Sequence, residues 1–396
     1  MSSFSSTRFQ VKSSIATNAV SNWSELSAMS FGAVIEWASR QSWAVEMAEC
    51  AQDSQWHAEG DVWTHTVRVC DVLQAGEHWR HLESPAQRLL LFSALLHDVA
   101  KPRTTSRDSI TGRIQSPKHA VKGEAMARAI LASIDCPFRQ RESICALVRN
   151  HGAPVHIFSR PDPEIEMTRL SWLLRNDWLY QLALADLRGR DSRESNRSED
   201  DLKLFLELAR ETGCVNSEYP FANDAARFLA GCRELSSLHY VPHQEFRCEA
   251  IVMSGMPASG KDTWIQQNLK GSAVVSLDQI RQTEKIDPGK NQGRVIQKAR
   301  EQCREHLRTG EDFVINATNT TRQIRRQWID LCTSYDARVT VIYLEPPLET
   351  IRERNARREQ PVPGSVVDRL IARLEPPNRL EAHQVRTIVE GDCRAI

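Results

Sequence analysis

The stretch VMSGMPASGKDTW, residues 252–264, joins an apolar run to a glycine-rich loop and a polar segment of helical character. Gly255 and Gly260 would let the backbone approach phosphate oxygens, and Lys261 would bridge the outer phosphates of a nucleotide. A strand before such a loop and a helix after it aim backbone N–H groups at the bound anion. The stretch therefore predicts a phosphate-binding loop for ATP, or another nucleoside triphosphate, together with Mg²⁺.

One position departs from the usual G-x-x-x-x-G-K-[ST] spacing. Asp262 stands where a hydroxyl normally helps to hold the metal. We still expect the loop and the first helical turn to contact the nucleotide. The predicted cofactor-binding residues in this stretch are Gly255, Ser259, Gly260, Lys261, Asp262 and Thr263.

The loop belongs to a half of the chain in which short β-rich runs alternate with amphipathic helices. These runs are EAIVMSG, SAVVSLD, DFVINAT, RVTVIYLE and VRTIVEG, and they predict an α/β domain with a parallel sheet and crossover helices. Before this half, apolar side chains recur at intervals of three and four residues over residues 31–238, which indicates an all-α domain. We predict a flexible N-terminus over 1–30, a helical domain over 31–239, a linker over 240–248 and an α/β domain over 249–396.

Composition restricts the environment more than the activity. Fifty-one basic and 51 acidic side chains cancel, so net charge indicates neither a nucleic acid nor a membrane as partner. Ten cysteines without metal-type spacing are typical of reduced thiols in the cytoplasm. No apolar run approaches the roughly 18 residues of a membrane span, and the N-terminus lacks the apolar core of a signal peptide.

The helical half carries dispersed metal-ligand residue types. His97 and Asp98 follow the apolar helix LLLFSALL, and Asp186 lies inside another apolar helix. A buried carboxylate is costly unless it has a basic partner or a metal. Imidazole and carboxylate groups from separate helices can converge on one or two divalent cations, which lower the pKa of bound water. The other candidates are His65, His119 and His151.

The order H…HD…H…H…D resembles the HD phosphohydrolase superfamily, and WHAEGDVWTHT is similar to HD domains attached to some bacterial tRNA nucleotidyltransferases. The resemblance covers roughly residues 50–190. It implies metal-dependent phosphoester hydrolysis with one or two divalent transition metals. The implied ligands are His65, His97, Asp98 and Asp186, with His119 and His151 completing a second metal position.

Three further residues of this half keep two interpretations each. Lys101, three residues after Asp98, is placed either to meet a phosphate oxygen in catalysis or to balance the end of a helix. His57 and His156 are either ligands or groups at the surface or behind the ligands.

The α/β half also carries candidates for binding a phosphoryl acceptor. Asp278 follows the second strand, where a carboxylate could accept a proton from an attacking hydroxyl, and Arg281 could hold a phosphate of the acceptor. The third strand ends in VINATNTTR, which places polar groups at the carboxyl edge of the sheet, where such folds bind ligands. The predicted substrate-binding residues are Arg281, Thr318, Asn319 and Arg322.

The segment RERNARREQPVPGSVVDRL contains five arginines between Arg352 and Arg369. Such a run is usually a solvated helix face, but after a strand of a P-loop fold it favours a lid that closes over ATP. This half contains, in order, the P-loop, D-x-x-R, A-T-N and R-N-x-x-R followed by V-P. This order of motifs resembles that of 5′-OH polynucleotide kinases of the phage and bacterial end-repair type, over roughly residues 249–380. The resemblance implies that Lys261 binds the β and γ phosphates, Asp278 is the general base, Arg281 grips a 3′ phosphate, and Arg354 and Arg358 are lid arginines.

An HD phosphohydrolase placed before such a kinase resembles the bifunctional HD-Pnk end-healing enzymes. The resemblance implies removal of a 2′,3′-cyclic phosphate or 2′-phosphate from RNA and phosphorylation of a 5′-OH. It implies RNA and DNA ends as partners, and a separate RNA ligase. Two alternatives remain: an HD nucleotidase fused to a small-metabolite kinase, and a non-catalytic, ATP-regulated RNA sensor.

Two departures from the kinase pattern occur together. The family has Ser or Thr at Asp262 and usually Asp at Asn316. We hypothesise that the metal-side carboxylate has moved from the third strand to the loop, which keeps the charge around Mg²⁺ the same. An inactive kinase is the alternative, because an anion beside phosphates is unfavourable without a metal.

Overall fold

The computed structural model describes residues 22–53, 57–191, 195–287 and 290–389. No helix in these ranges is both long and apolar enough to cross a membrane. Nine cysteines lie in the described part, and all are free thiols. The helical half contains α1 (Trp23–Ala28), α2 (Phe31–Ser39), α3 (Ser42–Ala48), α4 (Val62–Ala75), α5 (Glu77–Arg80), α6 (Ser84–Leu96), α7 (His119–Ser133), α8 (Phe138–Asn150), α9 (Ala153–His156), α10 (Pro163–Ser171), α11 (Asn176–Gly189), α12 (Ser195–Glu211) and α13 (Asp224–Cys232).

Helix α6 forms the centre of this half. Every residue from Leu89 to Leu96 is buried, so the helix is covered on all sides, and α4, α8 and α11 pack against it. Its last turn delivers His97 and Asp98 into the interior. Among the described residues of this half, the only strands are β1 (Ser106–Arg107) and β2 (Ile114–Gln115). Each has two residues, and the two strands pair in antiparallel fashion.

The prediction of a flexible N-terminus over residues 1–30 is wrong from residue 22 onward. Asn22 caps α1 by accepting a hydrogen bond from the Glu25 amide at 3.0 Å. Trp23 donates its amide to the Ile134 carbonyl at 2.6 Å, and both Trp23 and Leu26 are buried. Apolar anchoring to the helical core fixes this segment. Residues 1–21 lie outside the described residues.

The second half is an α/β domain with a five-stranded parallel sheet in the order β4-β5-β3-β6-β7. All five predicted strands are confirmed. Its elements are β3 (Cys248–Gly255), α14 (Lys261–Asn268), β4 (Ala273–Ser276), α15 (Leu277–Thr283), α16 (Gln292–Thr309), β5 (Phe313–Asn316), α17 (Arg322–Thr333), β6 (Ala337–Glu345), α18 (Leu348–Ala356), α19 (Gly364–Ile371) and β7 (Gln384–Val389).

Helix α13 is shared between the two halves. Phe228 belongs to the apolar core of the sheet, whereas Ala226 and Ala230 pack with Ile165 of α10. Gly231 is required at the junction, because a Cβ there would lie 2.1 Å from the Leu380 carbonyl oxygen. The last helix of the predicted helical domain therefore also serves the α/β domain.

Candidate metal centre and nucleotide site

Four histidines of the helical half, His65, His97, His119 and His151, point their Nε2 atoms towards a common centre. His97, His119 and His151 each donate Nδ1–H to the carbonyl oxygen three residues earlier, at 2.7, 2.8 and 2.8 Å. These bonds fix the tautomer, so each Nε2 keeps a free lone pair. Backbone geometry alone therefore prepares three imidazoles as metal ligands.

His65 is oriented by a carboxylate that the sequence reasoning missed. Glu59 Oε1 lies 2.9 Å from His65 Nδ1 and 2.8 Å from His57 Nδ1, and the side chain of Glu59 is fully buried. The ring of His57 also packs edge-on against the ring of His65, with the ring centroids 4.9 Å apart. Burial, followed by the positive charge of Lys101, lowers the pKa of His57 to about 4. The missed signal is Glu59 within the WHAEGDVWTHT stretch.

Asp98 and Asp186 complete the cluster. Asp98 Oδ2 lies 3.2 Å from His97 Nε2, and Asp98 Oδ1 lies 3.5 Å from His119 Nε2. Asp186 Oδ1 lies 3.0 Å from His65 Nε2. Burial alone would raise the pKa of Asp98, but the charges of Lys101 and His97 hold it well below its usual range.

Each carboxylate also has a basic partner. Lys101 Nζ lies 2.7 Å from Asp98 Oδ2 and donates to Gln52 Oε1 at 2.6 Å. Arg190 Nη2 lies 2.6 Å from Asp186 Oδ2. Burial would raise the pKa of Asp186 too, and the Arg190 charge holds it well below its usual range.

The donor set fits a metal. Among the described residues, His97 Nε2 and Asp98 Oδ1 are buried without a hydrogen-bond partner, which leaves two atoms available as ligands. Three triads have ligand atoms within 4.8 Å of one another, and the last two share Asp98: His57, Glu59 and His65; His65, His97 and Asp98; and Asp98, His119 and His151. Imidazole with carboxylate suits divalent transition metals. All six ligand positions predicted from the sequence come together, with Asp98 between two sites.

In the α/β half, Lys261 occupies the phosphate-binding loop as its sequence predicts. Its Nζ donates to the carbonyl oxygens of Gly255 and Met256 at 3.0 and 2.8 Å, and Ser259 Oγ lies at 3.4 Å. Burial lowers the pKa of Lys261 to about 8. The lysine is thus held by neutral oxygens, which a bound phosphate could replace.

Backbone conformation explains the two loop glycines. Gly255 has φ +148°, and a Cβ there would lie 2.6 Å from the Leu344 carbonyl oxygen. Gly260 has φ +96° and precedes the first residue of α14, so its conformation turns the chain into the helix. Thr263 is exposed on the first turn of α14.

The two residues that depart from the kinase pattern face each other. Asn316 Nδ2 donates to Asp262 Oδ1 at 2.6 Å, across the end of β5 and the start of α14. This contact places the carboxylate of Asp262 beside Asn316, the position at which the kinase pattern usually has Asp. The geometry is compatible with the proposed exchange.

The acceptor and lid groups lie around the same lysine. Asp278 pairs with Arg281, and Arg281 also donates to Gln292 Oε1 at 3.1 Å. After burial, the charges that act on the pKa of Lys261 are those of Asp262, Asp278 and Arg358. Arg354 Nη1 lies 3.6 Å from the position of a Cβ on Gly260.

Asn355, between the two lid arginines, organises the lid. Its Nδ2 donates to the Val362 carbonyl at 2.8 Å, and its Oδ1 accepts from the Val362 amide at 3.0 Å. This reciprocal pair closes the loop between α18 and α19. Asn355 is the N of the R-N-x-x-R motif, but the motif alone did not indicate this role.

Two of the residues predicted to form an acceptor surface after β5, Asn319 and Arg322, make other contacts in the structure. Asn319 is buried; its Nδ2 donates to the Met253 carbonyl, and its Oδ1 accepts from Trp328 Nε1. Thr318 accepts the Gly255 amide through its backbone. Arg322 starts α17, contacts Glu381 at 3.2 Å and lines a cleft between the two halves. In the tight turn after β5, Asn319 links β3 to α17 through its two hydrogen bonds. The same turn directs Arg322 away from the predicted acceptor site.

Comparison with known protein families agrees with this division. A model described as HD domain matches residues 62–175, and a model described as AAA domain matches residues 251–377. The chain joins an HD domain to a P-loop, kinase-like domain. The helical HD domain and the parallel-sheet domain that were predicted from the sequence are thereby confirmed.

Two curated relatives match in part. The L-seryl-tRNA(Sec) kinase of Methanococcus maripaludis is 22% identical over 134 residues, which cover 32% of this chain and 52% of that protein. The CC-adding tRNA nucleotidyltransferase of Thermus thermophilus is 33% identical over 120 residues, covering 30% of this chain and 25% of that protein. The chain thus spans about half the length of the first relative and a quarter of the second.

A solved structure of a sugar kinase from Janibacter sp. HTCC2649 is also similar. The likeness has 20% identity and a TM-score of 0.29, and it covers 36% of this chain and 85% of that chain. A score this low supports no conclusion about function.

Proposed function

We propose that the protein prepares broken nucleic-acid ends for sealing, in the cytoplasm and ahead of a separate RNA ligase. Its P-loop domain would transfer a phosphoryl group from ATP to the 5′-OH of RNA or DNA. Its HD domain would remove a 2′,3′-cyclic phosphate or 2′-phosphate from RNA ends. The coarser assignment, an HD hydrolase domain joined to a kinase-like domain, rests on the matched families.

The pairing of Asp278 with Arg281 near Lys261 carries the proposal. A carboxylate can accept the proton of a hydroxyl as its oxygen bonds to the transferred phosphorus. A guanidinium beside that carboxylate suits a phosphate close to the reacting hydroxyl. The terminal nucleotide of a 5′-OH strand carries both groups, because its 3′ oxygen is esterified to phosphate.

In the HD domain, bound divalent ions would supply a hydroxide nucleophile at neutral pH. The chain itself would contribute the six ligands, and backbone carbonyls fix the tautomers of His97, His119 and His151, while Glu59 lies 2.9 Å from His65 Nδ1. Lys101 partly neutralises Asp98, which keeps this carboxylate ionised and available as a ligand between the two triads.

The names of both curated relatives refer to tRNA, which supports an RNA substrate. The kinase match also suggests a second candidate, phosphorylation of a hydroxyl on an amino acid carried by tRNA. The two candidates differ in the acceptor. End healing needs a 5′-OH with a 3′ phosphate, whereas the second needs an aminoacylated 3′ end.

The test uses the full-length protein, ATP, a series of divalent metals and a 5′-OH RNA with a 2′,3′-cyclic phosphate. We expect the RNA to gain a 5′ phosphate and lose its cyclic phosphate. A nucleoside 3′-monophosphate should be phosphorylated and the matching nucleoside should not. Phosphorylation of seryl-tRNA in place of 5′-OH RNA would favour the second candidate, and phosphorylation of nucleosides alone would favour a small-metabolite kinase.

A further inference from the structure

A cleft of about 1370 Å³ lies between the two halves and extends from the metal centre. It exceeds the roughly 300–1,000 Å³ of pockets for small ligands. His119 and His151 line it, whereas Lys261 and Asp278 are not among the described residues that do. The metal centre therefore opens into this cleft, and the nucleotide site does not share it.

The far wall of the cleft is held in place by a buried ion pair. Arg325 is fully buried, and its Nε donates to Glu381 Oε2 at 2.8 Å. Its Nη1 donates to the Glu375 carbonyl at 2.7 Å. The segment 375–381 is thereby fixed to α17 opposite the HD domain, so the cleft is a built feature of the fold.

Positive charge is concentrated in the cleft. Among the described residues that line it are nine arginines and five glutamates, although acidic and basic residues balance over the whole chain. Arg149 of α8 shares a single carboxylate with Arg128, because Arg149 Nε and Arg128 Nη2 lie 3.5 and 2.9 Å from the two oxygens of Glu124. Burial lowers the pKa of Arg149, and the charges of Arg322 and Arg233 lower it further against the opposing effect of Glu124. Arg160 is exposed and has no side-chain partner in the described part of the chain.

We propose that this cleft binds the phosphodiester backbone of a single-stranded RNA whose 3′ end lies at the metal centre. The inference rests on the function proposed above. A 2′,3′-cyclic phosphate requires a 2′-OH, so the strand that ends in it is RNA. With the terminal group at the metals, the preceding nucleotides have to leave past His119 and His151 into the cleft. Guanidinium groups contact phosphates without regard to sequence, as a repair enzyme needs.

The test measures binding of a fluorescent single-stranded RNA that ends in a 3′-OH, which the metal centre cannot hydrolyse. The variant Arg160→Gln/Arg233→Gln removes two exposed cleft arginines. The matched control Arg40→Gln/Arg210→Gln removes two exposed arginines of the same half that do not line the cleft. Both variants change the charge of the full-length protein equally, so any difference between them reports position.

The salt slope is the slope of the logarithm of the binding constant against the logarithm of the salt concentration. Loss of two phosphate contacts should reduce the magnitude of this slope for single-stranded RNA by about 1.4. A fourfold increase in salt should then weaken binding by the cleft variant about sevenfold less than binding by the control. In the hydrolysis assay, the ratio of kcat/KM for a 2′,3′-cyclic oligonucleotide to that for a 2′,3′-cyclic mononucleotide should fall in the cleft variant only.

The two proposals fail in different ways. Equal salt slopes in the cleft variant and the control would overturn the cleft assignment, whatever the end-healing assay gives. A reduced slope together with no hydrolysis of any 2′,3′-cyclic end by the wild type would keep the cleft as an RNA site and reject the end-healing function.

Discussion

The metal centre and the nucleotide site differ in how completely the chain assembles them. In the metal centre, His65 and His97 are fully buried, Asp98 is 2% exposed, and backbone carbonyls or Glu59 already orient the imidazoles. In the nucleotide site, Asp278 is 75% exposed, and Arg354 and Arg358 lie on an exposed lid helix and the turn after it.

This difference fits the activities proposed for the two sites. Divalent ions require several donors at fixed positions, and burial of those donors is tolerable because the ions neutralise them. Phosphoryl transfer to the end of a polymer requires an open site that closes only when both substrates are present. The chain therefore builds the first site in advance and leaves the second to be completed by its substrates.

Single substitutions in the two sites should separate the two activities, and this is the largest effect we expect. Asp98→Ala removes the carboxylate shared by both metal triads, so the 3′-end reaction should fall by more than the roughly 100-fold typical of losing an outer partner. Lys261→Ala should lower 5′-end phosphorylation by about 10²–10³-fold. Both reactions are measured on one RNA with two defective ends.

Asp71→Ala and Lys270→Ala serve as matched controls, because both residues are exposed and neither belongs to a site. Each control should keep both reactions. Loss of both reactions in either active-site variant, with the protein still folded by circular dichroism, would refute two independent sites.

Protonation of His383 should destabilise the α/β domain at acid pH. His383 Nδ1 accepts the Val339 amide at 3.0 Å, and its ring packs on Phe228 and Phe246. Burial, followed by Arg338, lowers its pKa to about 4, with Arg227 acting in the same direction and Asp224 against it. Between pH 6.5 and 4 the unfolded chain binds a proton that the folded chain excludes. The free energy of unfolding should therefore decrease by about 3 kcal/mol as the pH is lowered from 6.5 to 4.

The measurement is urea unfolding across this pH range. His383→Gln keeps an acceptor without the ionisation, so its stability should fall less with pH than that of the wild type. His239→Gln, at an exposed position, should behave as the wild type does. An unchanged pH dependence in His383→Gln would exclude His383 as the titrating group.

Glu59 should act as a positioning residue for His65. Glu59→Gln removes the negative charge 2.9 Å from His65 Nδ1, and loss of such a partner typically weakens metal affinity by about 10–100-fold. Calorimetric titration with a divalent metal measures the effect directly. Glu59→Asp should recover part of the affinity, and Glu49→Gln, which is exposed, should not alter it. Unchanged affinity in Glu59→Gln would mean that His65 is oriented without Glu59.

The sequence predicted the parts of the molecule that depend on local pattern. The six predicted metal ligands stood out because His and Asp are unusual beside apolar helices such as LLLFSALL, and the structure brings these side chains together. Lys261 was found from the glycine-lysine spacing of the loop, and Asp278 from its place directly after the second strand. Both signals come from short segments whose secondary structure is clear.

The parts that escaped prediction depend on packing between distant segments. Asn319 looked like a substrate ligand, but the turn after β5 uses both ends of its amide inside the fold. Arg322 was placed beside the acceptor, but it donates to Glu381 on the same wall of the cleft. The shared helix α13 and the cleft itself arise only when the two halves pack together, and no local pattern encodes that arrangement.

The smallest expected effect concerns Asp262 and Asn316, which lie 2.6 Å apart through Oδ1 and Nδ2. Asp262→Ser leaves no carboxylate of this pair, and Asn316→Asp places two carboxylates side by side. Each single change should lower kinase activity by about tenfold. The double variant restores the ordinary pattern, and neighbouring residues of this kind are coupled by about 0.5–3 kcal/mol.

The double variant should therefore exceed both singles in kcat/KM for a 5′-OH oligonucleotide, and its Mg²⁺ requirement should return towards that of the wild type. Hydrolysis at the HD centre, measured in the same preparations, controls for folding. A double variant no better than the worse single would mean that the two positions act separately. In that case the carboxylate has not moved, and Asp262 would need an explanation within the loop alone.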